Sequence, residues 1–105
     1  DMQQKPPKAT IENEAKNGLK NNKYSIAMAR TSAPHSASSQ FFINVNDNQF
    51  LDFPGQDGWG YCVFGEVVFG QDVVDKIQSV ETINLGGHAD VPANPIIITK
   101  AFVQD

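Results

Sequence analysis

Two stretches of this chain alternate large apolar residues with small or polar ones. "YSIAMAR" puts Tyr24, Ile26 and Met28 on one parity and Ser25, Ala27 and Ala29 on the other. "QFFINVN" puts Phe41, Ile43 and Val45 on one parity and Gln40, Phe42 and Asn44 on the other. Successive side chains of a strand point to opposite faces, so this period of two predicts strands over 24–30 and 40–46. "YCVFGEVV", residues 61–68, reads as a third. The connections "TSAPHSASS", broken by Pro34, and the glycine-rich "FPGQDGWG" predict loops. "DNQFLD" fits one short helical turn. Strands joined in this way imply a mainly β chain, an antiparallel barrel or sandwich.

The period switches in "GQDVVDKIQSV". Val73, Ile77 and Val80 recur at helical spacing with Val74 beside them, which predicts one helix at about 72–80 with Asp72 capping its start. "IENEAKNGLKNN", residues 11–22, also fits a helix, because Glu, Ala, Lys and Leu favour one. Turn signals at Asn17-Gly18 and at Asn21 and Asn22 oppose that reading. Residues 1–10 read as an extended loop and "NLGGHADVPANP", 84–95, as a long one. "IIITKAF", 96–102, is rich in β-branched residues and reads as a closing strand. No repeat or linker divides the 105 residues, so they form a single domain or part of one.

Charge and chemistry narrow the function. Net charge is −4, from 12 acidic and 8 basic residues with the lysines scattered, which argues against nucleic acid as a partner. No apolar run is long enough to span a bilayer, so a membrane is not an expected partner. Cys62 is alone, which excludes an internal disulfide and fits a reducing compartment. His35, His88 and Cys62 show no zinc spacing, and no metal is expected. "PHSASS" sets serines beside a histidine, but the G-x-S-x-G elbow of a serine hydrolase is absent, as is a phosphate-binding loop. Glu12 and Glu14 read as a solvated face. What remains is the phenylalanine-and-amide stretch "SSQFFINVNDNQFLD". If Phe41 faces the core, Phe42 lies with Gln40 on an outer wall. With Phe50 and Leu51 nearby, that wall would make an apolar pocket rimmed by amides. Composition alone favours reading the same aromatics as ordinary core.

"SIAMART", "SSQFFINV", "NQFLD", "GYCVFGEVV" and "GQDVVDKI" occur here in that order. Together they resemble the cyclophilin family of peptidyl-prolyl cis-trans isomerases, the short bacterial cytoplasmic type, over nearly the whole chain. The resemblance implies an eight-stranded antiparallel barrel of which this chain is the C-terminal two-thirds, a partial barrel. The family's F-H-R motif and its Q-G-G stretch are not found here. The arginine held responsible for catalysis in the family belongs to that segment, so no residue of this chain takes the role. Arg30 matches a different position, and the 105 residues alone are expected to be weakly active or inactive.

By the same resemblance Gln40 and Phe42 match the pocket-wall glutamine and phenylalanine, with Gln40 supporting catalysis. Ala29, Arg30 and Thr31 match a segment that pairs with the peptide backbone; its middle residue is asparagine in many relatives. Phe50 stands where many eukaryotic members have the tryptophan linked to cyclosporin binding, Leu51 matches a pocket leucine, and Tyr61 stands where histidine is frequent. The expected function is acceleration of rotation about X-Pro bonds during protein folding, without cofactor. The expected partners are proline-containing peptides and unfolded proteins, with weak affinity for cyclosporin-like ligands. The alternative is a non-catalytic proline-peptide binder. A cytoplasmic location is expected, with the periplasm left open.

Overall fold

The computed structural model describes residue 6 and residues 8–80, 82–85, 88–92 and 96–104. Strand β1, Ser25–Met28, lies between β2, Phe41–Ile43, and β3, Val63–Glu66, and both pairings are antiparallel. Ala27 is fully buried at the centre, opposite Phe42 on one side and Val63 on the other. Its small side chain leaves room for the larger partners on each side. Beyond Ile26 the register with β3 shifts by one residue, so that Phe64 has no opposite number and is exposed.

The strands are shorter than the alternation predicts. β1 starts after Tyr24 because Tyr24 holds a left-handed backbone, φ 73°. A bulky residue there costs about 1–3 kcal/mol and persists only where its surroundings over-determine it. They do so here. The Tyr24 N–H donates to the Asn44 carbonyl at 2.6 Å, its carbonyl accepts from the Val67 N–H at 2.8 Å, and its hydroxyl donates to the Asp75 carboxylate at 3.0 Å. The predicted short turn is a 3-10 turn at Gln49–Leu51.

Helix α1 spans Gln71–Gln78. Asp72 does not cap it. The cap is Gly70, in the left-handed region at φ 87°, whose carbonyl accepts from the Val73 and Val74 N–H groups. Asp72 lies inside the first turn, two residues past the cap position, where its charge suits the positive end of the helix dipole. Val74 is the buried residue of the helix, while Val73, Ile77 and Val80 remain substantially exposed.

Three readings of whole segments fail. Residues 11–22 are not helical. Ile11 bridges to Ala37, the Asn13 side chain accepts from the Ala15 N–H at 2.8 Å, and the Asn17 side chain accepts from the Leu19 N–H at 2.9 Å. Such side-chain bonds to nearby backbone compete with a helix and win here over modest propensity. Two strands overlap 84–95, read as a loop, and pair: β4, Thr82–Leu85, against β5, His88–Pro92. Residues 86, 87 and 93–95 lie outside the described residues. Residues 96–102 form no strand and are exposed. β-Branched residues favour strands by packing on a pleated neighbour, and no described strand pairs with them. Of the predicted loop at 1–10, Pro6 and 8–10 carry no regular structure; 1–5 and 7 lie outside the described residues.

The core is small. Its buried apolar residues are Ala15, Ala27, Ala37, Val63 and Val74, and beside them Asn13, Asn21, Ser25 and Asn44 are also buried. Phe41, expected inside, is 47% exposed, while Phe42 is half-buried. The Phe42 ring has Tyr61 to pack on.

Candidate functional site

Two open hollows meet at Arg30. The first, about 200 Å³, is lined by Ala29, Arg30, Thr31, Ser36, Ser38 and Gln40. The second, about 350 Å³, lies between Arg30 and the 50–61 segment, with Phe50, Leu51 and Tyr61 on its wall. Of the residues predicted from the sequence, Ala29, Arg30, Thr31, Gln40, Phe50, Leu51 and Tyr61 therefore line adjoining hollows. Phe42 lines neither. Its ring stands edge-on to Tyr61 at 5.8 Å between centroids, one ring behind the surface.

The backbone of 29–31 is unevenly occupied. The Ala29 N–H donates to the Gln40 carbonyl at 3.0 Å and the Thr31 N–H to the Ser36 hydroxyl at 2.9 Å. The Arg30 N–H and C=O, between them, have no protein partner among the described residues. The Gln40 side-chain amide is likewise exposed and free among the described residues.

The other amides of the phenylalanine-and-amide stretch are not on the rim. Asn44 is 1% exposed and donates to Asn21 Oδ1 at 3.0 Å and Ser25 Oγ at 2.8 Å, while its own Oδ1 accepts from Asn48 Nδ2 at 2.8 Å. Asn21 Nδ2 continues the chain to Asp52 Oδ1 and the Tyr61 carbonyl. Buried polar groups are costly unless hydrogen-bonded, and this network satisfies them. It locks the start of β1, the end of β2 and the 48–52 turn together, beneath Phe50 and Leu51.

The Arg30 side chain is 4% exposed. Its Nη1 donates to the Gly60 carbonyl at 2.6 Å, its Nε to the Thr31 carbonyl at 3.0 Å, and its Nη2 to the Asp57 carboxylate. The guanidinium also lies over the Tyr61 ring, 4.9 Å from its centroid. All three nitrogens are thus engaged inside the protein. The bond from Arg30, then those from the Gly60 and Trp59 N–H groups, holds the Asp57 carboxyl well below the usual carboxylate range. Asp57, Trp59 and Gly60 were not singled out from sequence; the loop "DGWG" looks like turn chemistry alone.

The alternatives find no support in the arrangement. His35 Nδ1 accepts from the Asn13 N–H at 3.0 Å, and the neighbouring Ser36 hydroxyl donates to the Ala33 carbonyl at 2.6 Å, so the two form no relay. Glu12 and Glu14 are exposed. Burial pushes the Cys62 thiol up, away from reactivity. The His88 side chain lies outside what the structure describes.

A family model described as cyclophilin type peptidyl-prolyl cis-trans isomerase/CLD matches residues 1–103. The chain belongs to the cyclophilin family. It is similar to Escherichia coli (strain K12) peptidyl-prolyl cis-trans isomerase B, with 58% identity over 99% of this chain and 65% of that one. It is 57% identical to a Streptomyces antibioticus protein, "Peptidyl-prolyl cis-trans isomerase cyp18", over 98% of this chain and 63% of that one. Identity to Dickeya dadantii (strain 3937) peptidyl-prolyl cis-trans isomerase A is 54%, over 98% of this chain and 54% of that one. The chain thus spans just over half to two-thirds of the length of these cyclophilins.

Proposed function

We propose that the protein is a peptidyl-prolyl cis-trans isomerase and that the two hollows meeting at Arg30 form its substrate groove. The observation that carries this reading is the free backbone amide of Arg30, flanked by two engaged neighbours and set between the hollow walled by Phe50, Leu51 and Tyr61 and the Gln40 amide. An extended peptide needs such a pair of backbone groups to dock in register. The proline ring needs an apolar wall, which Phe50, Leu51 and Tyr61 supply with Phe42 supporting Tyr61 from behind.

The reaction requires no nucleophile. Rotation about a peptide bond crosses a barrier of about 18–20 kcal/mol that comes from amide resonance, and X-Pro isomerisation takes tens to hundreds of seconds unaided. A groove that holds the ring and the flanking backbone, and favours the twisted amide over the planar one, lowers the barrier by differential binding. Ala29 and Thr31 fix the segment that presents the Arg30 amide, Gln40 offers a polar contact to the reacting region, and the apolar wall excludes water. The Arg30 guanidinium, fully engaged within the protein, does not act as the donor to the prolyl nitrogen. On this reading the sheet is part of the family's antiparallel barrel, and residues 1–105 are part of a single domain. The exposed Phe41 and Phe64 support that view, since about half of each large apolar side chain is open. Substrates are proline-containing peptides and unfolded chains in the cytoplasm. Phe50, 62% exposed, offers a weak wall for cyclosporin-like ligands.

The test is NMR exchange on an alanine-proline peptide. The protein should bind the peptide and raise its exchange rate above the spontaneous one, weakly where residues 1–105 act alone, and Phe42→Ala should lower the gain about tenfold or more, the effect of losing roughly 1.4 kcal/mol. Binding without acceleration would point instead to a proline-peptide binder, and neither binding nor acceleration would end the reading.

A further inference from the structure

Arg30 and Asp57 are 27 residues apart, yet they make the one long-range ion pair among the described residues, and Arg30 is almost wholly out of water. A buried guanidinium demands compensation at each nitrogen, and Arg30 obtains it at Nη1 and Nη2 from the loop it faces and at Nε from the neighbouring Thr31 carbonyl. Asp57 binds in two directions. One carboxylate oxygen takes Arg30, and the other accepts from the Trp59 and Gly60 N–H groups at 3.1 Å each. Gly60 then closes the loop. Its φ is +77°, a Cβ there would meet the Leu51 carbonyl oxygen at 2.7 Å, and the next residue, Tyr61, donates its N–H to that oxygen at 2.8 Å. The Gly60 carbonyl is held by Arg30 at 2.6 Å and by Asn13 Nδ2 at 3.0 Å. Through Gly60 this chain of contacts reaches Tyr61 and Leu51, the wall of the second hollow.

We infer that Arg30 and Asp57 form a clasp that sets the 50–61 wall of the groove against the peptide-facing backbone of Arg30, making Asp57 a positioning residue for proline recognition. The inference rests on the isomerase reading and deepens it. One residue does two tasks: the Arg30 backbone faces the groove, and its side chain fixes the opposite wall. The width of the groove is thereby tied to the segment that holds the substrate. A lysine could not replace the fork, because one ammonium on a flexible stem cannot serve the Gly60 carbonyl, the Thr31 carbonyl and Asp57 in one plane. The low proton affinity of Asp57 keeps the clasp charged across the neutral and mildly acidic range.

The experiment uses Asp57→Asn, Arg30→Lys and the double variant, with Asp72→Asn on the distant helix as control. Two readouts are taken: KM and kcat for an alanine-proline peptide, and the emission of Trp59, the sole tryptophan, whose backbone binds Asp57. A clasp predicts that each single variant raises KM about tenfold, equivalent to ~1.4 kcal/mol, with kcat changed about twofold or less. It also predicts that the double variant is no worse than the poorer single, because one device has been broken once. Trp59 emission should shift in all three and not in the control. An unchanged KM in Asp57→Asn, or effects that multiply in the double variant, would overturn the clasp. If Arg30→Lys does not fold, Asp57→Asn, a change at a largely exposed carboxyl, decides alone. If the unaltered protein neither binds nor isomerises the peptide, the isomerase reading fails. The clasp is then judged on emission: a shared shift upholds its hold on the loop, and no shift rejects it.

Discussion

At the scale of single residues, the amides divide into two kinds that look identical in sequence. Gln40 is exposed at the groove, while Asn44, four positions on, is buried and saturated. Asn44→Ala would strand the Asn21 Oδ1, the Asn48 amide and one acceptor bond of Ser25. An orphaned buried polar group costs about 1–3 kcal/mol, so the variant should lose at least ~2 kcal/mol in urea unfolding. A loss below ~0.5 kcal/mol would show that water replaces the network. Nothing in "QFFINVN" separates the two roles. Alternation places Gln40 and Asn44 on the same parity, and only the approach of Asn21 and Ser25 from another part of the chain makes Asn44 structural.

At the scale of elements, the helix and sheet communicate through Tyr24. Its strained backbone ends β1, and its hydroxyl reaches Asp75 on α1. Tyr24→Phe keeps the ring and removes that bond. It should cost ~1 kcal/mol and lower hydrogen-exchange protection in α1 while leaving β1 and β2 unchanged. Equal loss of protection in sheet and helix would mean that Tyr24 acts on the whole fold. The three sheet strands, the helix and the 3-10 turn were legible in the sequence as elements, because their periods and turn residues are local properties. The β4–β5 pair was not, since glycines and prolines around it mask short strands. Residues 96–102 erred the other way: their β-branched side chains announce a strand, but a strand exists only where a neighbour accepts its ladder.

At the scale of the whole molecule, the clasp gives stability a pH dependence. An unfolded aspartate ionises near ~4, and Asp57 in the fold ionises well below that. Its contribution is therefore complete above about pH 4 and is lost as pH falls toward the folded value. The difference in urea midpoint between the unaltered protein and Asp57→Asn should be full at pH 6 and smaller at pH 3. A constant difference would show that the carboxylate charge is not what holds the loop.

The sequence by itself determined the β character, the helix near residue 74, the family, and seven of the residues that line the two hollows. Those depend on short-range pattern and on motifs that survive in linear order. Only the tertiary structure decided that Phe42 backs Tyr61 instead of lining a hollow, that Phe41 lies exposed, and that Arg30 turns its side chain to Asp57 and its backbone to the groove. The reason is that burial and pairing are properties of neighbours in space. An arginine beside two hollows and a carboxylate 27 positions away carry no mark of each other until the chain has closed the distance.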